Sequence, residues 1–568
     1  MKALFAFTVG PVKALIENSR KMNDLYGGSI LLSQLTKDAI CYIQKKDFDV
    51  IFPVIDEQEG DSNIPNRFIA QINDYDEQAL NDYQQIAEKL ADTVRANFKV
   101  IGKETFIAMG IKDKKQLNLA INQLADFLEI HWLYHPYKAD TDYQEAYQSV
   151  FKKLQAVKNI RLFDQNQEFW GRKCTLFPEY NAIFIKNSSK KPDTLEYPRH
   201  INLAELERGY IDVTHNKTLQ YLIKPKEALS AIGLMKRFYG NERKVNSLRN
   251  MLLEVYYKEI KACEEYQDLS KKTAIANIIY DLLHDNKPTA EQYCPDLIEI
   301  AQTLYKNNIA GKVHLSSYYA CLKFDGDNMG DFYREMQCPS EHRNLSKKIC
   351  DFANEAKRII EIDSEGLCVY AGGEDVLAFI PIHKLFTGLI KLHEVFLEKT
   401  EITFSAGIVI AHLMQPLKEV LMAVGKMEHS AKQVEGKNAY SLSLMKRSGE
   451  LRTVCYPFYQ ADDQKYDTLN AFNELIVLLS KETYSKALIY DLIQLLNPLV
   501  DGSGQKIDEK LLKILIKRIM IQKQIKDITQ ITLELEKLWV ACPSLQDYIN
   551  SLDMIGFLSR EVFVYVPN

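Results

Sequence analysis

Residues Leu367 to Ile380 read Leu-Cys-Val-Tyr-Ala-Gly-Gly-Glu-Asp-Val-Leu-Ala-Phe-Ile, two short apolar runs joined by a turn that ends in adjacent carboxylates. Gly372 and Gly373 supply the backbone freedom of a tight hairpin, and Glu374 and Asp375 sit at its tip, where a hard cation such as Mg²⁺ finds oxygen ligands. Upstream, a second apolar run, Tyr318 to Phe324, ends in Asp325-Gly326-Asp327-Asn328-Met329-Gly330-Asp331. Carboxylates at the ends of two strands make a candidate two-metal site, with the cations about 3.5 to 4 Å apart. The matching chemistry is nucleotidyl transfer: one cation activates an attacking hydroxyl while the other neutralises a triphosphate. Either motif alone is equally an ordinary polar turn; their order along the chain favours the chemistry.

The elements needed to hold these acids follow in sequence. After Asp325 the pattern predicts a helix over Ser340 to Ile360, the hairpin, a helix over His383 to Leu397, a strand over Ile402 to Ala411, a helix over Leu417 to Gln433 and a strand over Ala439 to Leu444. This is the order of a ferredoxin-like β-α-β-β-α-β palm with an extension.

The 568 residues exceed one ordinary core, so several domains are expected. A net charge of −5 with 26% charged residues excludes a chain that coats nucleic acid through bulk charge, and leaves RNA contact to local basic patches. The ten cysteines include no C-x-x-C pair, and many fall in apolar runs (Cys41, Cys321, Cys350, Cys368), as small core residues do in a reducing compartment. The apolar run at Met1 to Val9 is short and lacks a cleavage pattern, so it reads as a first strand. No apolar run approaches the roughly 20 residues that cross a bilayer, so a cytoplasmic location is expected.

The fold class expected is α+β and multidomain: two ferredoxin-like palm domains, a helical insert and a C-terminal helical bundle. A first α/β domain over 1–155 combines strand Lys2 to Val9, helices Val12 to Leu25 and Ser29 to Gln44, strand Asp49 to Phe52, helices within Gln78 to Phe98 and Lys114 to Phe127, and strand Glu129 to Tyr134. Residues 156–310 hold an irregular segment and a helical insert with a long amphipathic stretch from Ser247 to His284. The second palm spans 311–455, and 456–568 form a bundle with a basic face around Lys510 to Lys526.

Several motifs in common order resemble a known family. Gly10-Pro11-Val12, Ser19 to Ser33, Phe52-Pro53 and Ile64-Pro65-Asn66-Arg67-Phe68 are similar to the first palm of the large polymerase/cyclase subunit of type III-B (Cmr-type) CRISPR-Cas effector complexes. Asp325 to Gly330, the Gly-Gly-Glu-Asp hairpin, Ser405 to His412 with Pro416-Leu417, Ala431-Lys432 and Lys446 to Glu450 are similar to that family's second palm. The resemblance implies an ATP-using nucleotidyltransferase that makes a nucleotide second messenger once target RNA pairs with the guide. The product is cyclic oligoadenylate, or AMP joined to another acceptor such as S-adenosylmethionine. It also implies Mg²⁺ (or Mn²⁺), sister subunits, CRISPR guide RNA and target RNA as partners, and no membrane.

The sequence departs from the family at three places. The hairpin has Glu374 where Gly-Gly-Asp-Asp is common, a change that related GGDEF cyclases tolerate. The chain starts at the palm strand, so the family's His-Asp nuclease is expected to be missing, and His284-Asp285 reads as a helix terminus. Lys173-Cys174-Thr175-Leu176 continues without a partner cysteine, so zinc is not expected and Cys174 is structural.

Asp325, Glu374 and Asp375 are the candidate catalytic and metal-binding residues. Gly27, Gly28 and Ser29 are read as opening a helix, which makes the amides of Gly28 and Ser29 a candidate nucleotide contact. Asp327, Asn328, Gly330, Gly372 and Gly373 are further candidate nucleotide contacts, and Lys432 resembles the family lysine that meets triphosphate. His412 reads as a hydrogen-bonded structural histidine. Two other readings stay open: an inert scaffold subunit of the same complex, and a free-standing nucleotide cyclase.

Overall fold

The computed structural model describes residues 1–568 except 55–63, 139–141, 161–171, 187–210, 215, 217–218, 225–226, 243–245, 291, 460–465, 481–486, 501–505, 524–528 and 563–568. The chain divides into two compact units, one of Met1–Ser247, Leu269–Ala301 and Asn328–Cys350, the other of Leu248–Asp268, Gln302–Asp327 and Asp351–Asn568.

The first unit is built on β1 (Lys2–Gly10), α1 (Val12–Glu17), α2 (Met22–Gln44), β2 (Asp49–Phe52), β3 (Arg67–Ile72), α3 (Leu80–Ala108), α4 (Lys114–Leu124), β4 (Glu129–Tyr137) and α5 (Tyr143–Asn159). The strands form one antiparallel sheet in the order β2-β3-β1-β4, the ferredoxin-like arrangement expected. Phe5, Phe7, Val9 and Phe68 leave one face of the sheet to pack with Leu31, Leu35, Leu90 and Phe98 of α2 and α3. Arg67 stacks on Phe151 of α5 at 5.4 Å, so α5 covers the other face.

The helix expected from Ser29 begins at Met22, and the one expected to run to Leu25 stops at Glu17. Asp24 sets the break, because its Oδ2 accepts the amides of Arg20 and Lys21, each at 3.0 Å. The strand Arg67–Ile72 was not foreseen. Residues 231–242, expected within a separate insert, form α6 (Ala231–Glu242), which packs along α2 as part of the first unit's core. The long stretch from Ser247 to His284 is broken into Leu248–Tyr256, Lys258–Ala262, Glu264–Gln267 and Leu269–Leu283.

A buried ionic lattice joins α2 to α6. Arg237 donates from Nε and Nη2 to the two oxygens of Asp24 at 2.7 and 3.1 Å, and from Nη1 and Nη2 to Glu227 at 2.9 and 3.1 Å. Although burial opposes it, Arg237 with Lys21 holds the Glu227 carboxyl down at about 2.

In sequence order the second palm region has β8 (Tyr318–Gly326), α7 (Met329–Glu335), α8 (Pro339–Arg358), β9 (Leu367–Gly372), β10 (Asp375–Ile380), α9 (Leu385–Thr400), β11 (Phe404–His412), α10 (Leu417–Ala431), β12 (Ala439–Met445) and β13 (Leu451–Pro457), of which α7 and the first part of α8 belong to the first unit; the short strands β5 (Phe184–Ile185), β6 (Ile211–Asp212) and β7 (Ala228–Leu229) pair earlier in the chain. Its sheet runs β13-β12-β11-β8-β10-β9. The four strands β11-β8-β10-β9 are again ferredoxin-like. Phe324 stacks on Phe404 at 4.0 Å and meets Phe352 of α8, which in turn meets Phe396 of α9. On the opposite face α10 lies directly on β11, for a Cβ at Gly407 would stand 2.2 Å from the Glu428 nitrogen and 2.4 Å from the Val424 oxygen. Helices α11 (Asp467–Ser480), α12 (Ala487–Leu496), α13 (Glu509–Gln522), α14 (Thr529–Ala541) and α15 (Leu545–Val562) form the expected C-terminal bundle. Lys510, Lys513, Lys517 and Arg518 are exposed on α13, while Lys526 lies outside the described residues.

Candidate active site

The hairpin is as the sequence implies. Gly372 pairs with Asp375 across a two-residue turn. Gly373 has φ +76°, and Glu374 is not among the residues with positive φ, the sign pattern of a type II′ turn with Gly at its first central position. Asp375 thus opens β10. The β10–β8 register, ending at Val376 opposite Phe324, brings Asp375 opposite Asp325, which pairs on its other side with Ser405 of β11. Two carboxylate-bearing positions therefore stand on adjacent strand ends.

Asp325 is in an ion pair with Lys432, the residue that caps α10. Lys432 also meets Glu428 Oε1 at 3.5 Å, and Glu428 Oε2 holds Lys323 at 2.8 Å. The four charges alternate in sign across strand and helix. Burial, with Lys437 and Lys323 nearby, pushes the Lys432 ammonium down to about 8. Lys323 and Glu428 escaped the sequence reading, although a lysine inside the apolar run Tyr318 to Phe324 is the signal that a charge on this strand faces a partner.

The remaining candidates separate. Asp327 is buried, and its carboxylate accepts Thr403 Oγ1 at 2.8 Å, Ser405 Oγ at 2.8 Å and the Asn438 amide at 3.0 Å. That carboxylate clamps β8 to β11 and the start of β12; it is committed to the protein and not to a nucleotide. Asn328 is left-handed, with φ +55°, and leads into α7. Gly330 gives its carbonyl to Arg334 Nε at 2.9 Å. Gly28 and Ser29 do not open a helix: they lie within α2 and are buried. A Cβ on Gly27 would stand 1.9 Å from the Lys236 oxygen, and one on Gly28 2.3 Å from the Leu15 oxygen. These glycines exist for close helix packing, and amides inside a helix are bonded within it.

His412 is buried, accepts the Met414 amide on Nδ1 at 3.1 Å and meets Tyr318 edge-on, the structural role expected. Cys174 is buried and its sulfur accepts the amides of Leu176 and Phe177 at 3.4 Å. His284 and Asp285 follow the helix Leu269–Leu283, Asp285 with φ +57°, as a helix terminus does.

Among the described residues no three His, Cys, Asp or Glu side chains converge as a metal cluster, so Asp325, Glu374 and Asp375 do not form a closed three-ligand cage. This donor set still fits Mg²⁺, which is commonly bound by one or two carboxylates, completing its shell with water and substrate phosphate.

Residues 318–441 match the family described as Cas10/Cmr2, second palm domain, and residues 4–103 match CRISPR-associated protein Cmr2, N-terminal. The CRISPR system Cmr subunit Cmr2 of Pyrococcus furiosus is 23% identical over 555 residues, an alignment covering 78% of this chain and 62% of that protein. The chain thus spans less than two thirds of this relative's length. A type III-B Cmr-beta structure in the apo state has TM-score 0.69 at 12% identity, over 98% of this chain and 82% of that one. The same assembly bound to cognate target RNA gives 0.66 at 13%, over 98% and 83%. These likenesses show the fold. No described helix is long and apolar enough to cross a membrane.

Proposed function

We propose that this chain, a relative of the Cas10/Cmr2 large subunits of type III-B CRISPR effector complexes, joins AMP from ATP to an acceptor hydroxyl at the Asp325–Asp375 corner, the hydroxyl attacking the α-phosphate and pyrophosphate leaving, and so makes a nucleotide second messenger. The observation that carries this is the register that sets Asp375 opposite Asp325 with Lys432 on the same corner. Asp325 and Asp375, with Glu374 beside them, would hold Mg²⁺ (or Mn²⁺), which when bound would supply hydroxyl activation and charge neutralisation of the triphosphate. Lys432, beside Asp325 at the same corner, would offer its ammonium to the phosphate oxygens. The Gly372–Gly373 backbone borders the nucleotide. Sister subunits, guide RNA and target RNA are the partners, and pairing of guide with target starts synthesis. Cyclic oligoadenylate is the product this reading favours; S-adenosylmethionine is an alternative acceptor.

The test is mass spectrometry of the products formed from ATP and Mg²⁺ by the assembled complex with cognate RNA. A Glu374→Gln, Asp375→Asn double variant should assemble and bind RNA normally yet make no product. Asp325→Ala should be equally damaging, and the triple variant little worse, since these residues act as a unit. Undiminished turnover by either well-folded variant would overturn the assignment of these acids, and no product from the wild-type complex would leave the chain as a scaffold.

A further inference from the structure

The strand β8 is buried at every position but two, Lys323 and Asp325. Two residues apart, they leave the same face, opposite to Phe324, about 6.5 to 7 Å from each other. Above them α10 carries Glu428 and Lys432 one turn apart, about 6 Å along the helix. The two repeats match, so the charges pair rung by rung: Lys323 with Glu428 Oε2 at 2.8 Å, and Asp325 with Lys432. Gly407 sets the height of this ladder. It is the β11 partner of Lys323, and a Cβ built on it would stand 2.2 Å from the Glu428 nitrogen and 2.9 Å from the Glu428 Cα. Main chain therefore seats Glu428 on the sheet, and its carboxylate has a fixed origin from which to reach both lysines.

A diagonal contact crosses the ladder, from Glu428 Oε1 to the Lys432 ammonium at 3.5 Å. An N–H···O bond closes at about 2.7 to 3.2 Å. The ammonium that is bonded to Asp325 thus stands about half an ångström short of a second acid on its own helix, and glutamate four residues before lysine is the favourable order of such a pair. The four side chains are between 13 and 27% exposed, so salt and water screen them less than they would an open surface pair. Burial first, then the charges of Lys437 and Lys323, hold the Lys432 ammonium down. Drawn off Asp325 with no other acid in reach, Lys432 would face those like charges from a largely buried position. Glu428 is the acid in reach, and Lys323, by occupying Oε2, leaves Oε1 for Lys432.

We propose that Glu428 is a positioning residue: it is the second seat of the Lys432 ammonium, which moves to it when a cation engages Asp325, and Lys323 sets how strongly that seat pulls. The assignment rests on Asp325 being a cation ligand and adds the device that frees it. Titration of the full chain with Mn²⁺ alone, the free ion followed by electron paramagnetic resonance, tests it without turnover. Lys432→Met should bind Mn²⁺ more tightly, since the competitor is gone. Glu428→Gln should bind about fivefold more weakly, because Lys432 has lost its alternative, and Lys323→Met more tightly, because Glu428 released from β8 draws the ammonium away. In the Lys432→Met background neither of these second changes should move the affinity by more than about twofold. A plain loss of nearby charge would act there as strongly as before, and a merely structural ion pair would lower the unfolding midpoint with no dependence of Mn²⁺ affinity on Lys432. A fivefold effect of Glu428→Gln that persists without Lys432, or Glu428→Gln binding like the wild type, would overturn the second seat and leave Asp325 a ligand. No Mn²⁺ bound by the wild-type chain, or wild-type affinity in Asp325→Asn, would overturn the cation reading of Asp325 and the seat with it.

Discussion

Replacing Gly27 by alanine separates a packing role from a ligand role at the start of the chain. A methyl group there would lie 1.9 Å from the Lys236 carbonyl oxygen and 2.9 Å from the Gly240 nitrogen. Ordinary heavy-atom contact begins near 3.5 Å, so α2 and α6 must separate by about 1.5 Å, and neither obstacle is a side chain that can rotate away. Overpacking costs about 1 to 3 kcal/mol, and rigid backbone puts this site at the upper end. Helix propensity returns up to about 1 kcal/mol, leaving a net loss of about 2 kcal/mol. Gly425, inside α10 with nothing within 4 Å of a built Cβ, is the control: Gly425→Ala should gain about 0.5 to 1 kcal/mol. Urea unfolding followed by hydrogen exchange of β1 amides for Gly27→Ala, and of β11 amides for Gly425→Ala, reads the two effects separately. A Gly27→Ala protein of undiminished stability that had lost ATP binding would refute the packing argument and restore the nucleotide contact.

Arg237→Met should cost the first unit about 3 to 5 kcal/mol, because it strips buried Asp24 of its bidentate cation and leaves Glu227 with Lys21 alone; a loss below 1 kcal/mol in the same exchange assay would mean that the lattice is solvated. Buried His342 is held at about 4, mainly by burial, while Tyr143 Oη approaches its Nδ1 at 3.0 Å and the Tyr333 carbonyl its Nε2 at 3.0 Å. Between that value and the ordinary 6.5 the unfolded chain binds more protons, so this contribution is complete above about 6.5 and is lost as pH falls through about 4, a total of about 3 kcal/mol. His342→Gln should flatten that part of the stability–pH curve, and an unchanged slope would assign the acid sensitivity elsewhere.

The second palm was legible because its signals are local. Asp325, the hairpin, α10 and β11 each carry their own boundary residues, and the observed elements fall within a few residues of the expected ones. What escaped depends on distant partners. Gly27-Gly28 reads as a helix start because glycine breaks helices in isolation; here α6, some two hundred residues on, demands it. The strand Arg67–Ile72 is buried at nearly every position, since helices cover both faces of its sheet, and so it lacks the alternation that marks a half-exposed strand. Asp327 reads as a loop acid next to Asp325, and only the arrival of Thr403, Ser405 and Asn438 from other elements shows that it is a clamp.

The alternating chain Asp325–Lys432–Glu428–Lys323 gives the acidic corner its own counter-ions. A structural zinc site stays unfolded without its metal, because there the binding free energy is folding free energy. Here an intramolecular ammonium already offsets the Asp325 charge, so chelation empties the corner without melting the sheet that bears it. On the proposed reading a cation at this corner would have to compete with a tethered lysine whose effective concentration is fixed by the geometry of α10. Occupancy would then follow the supply of cation and triphosphate together, in the manner of a coincidence detector.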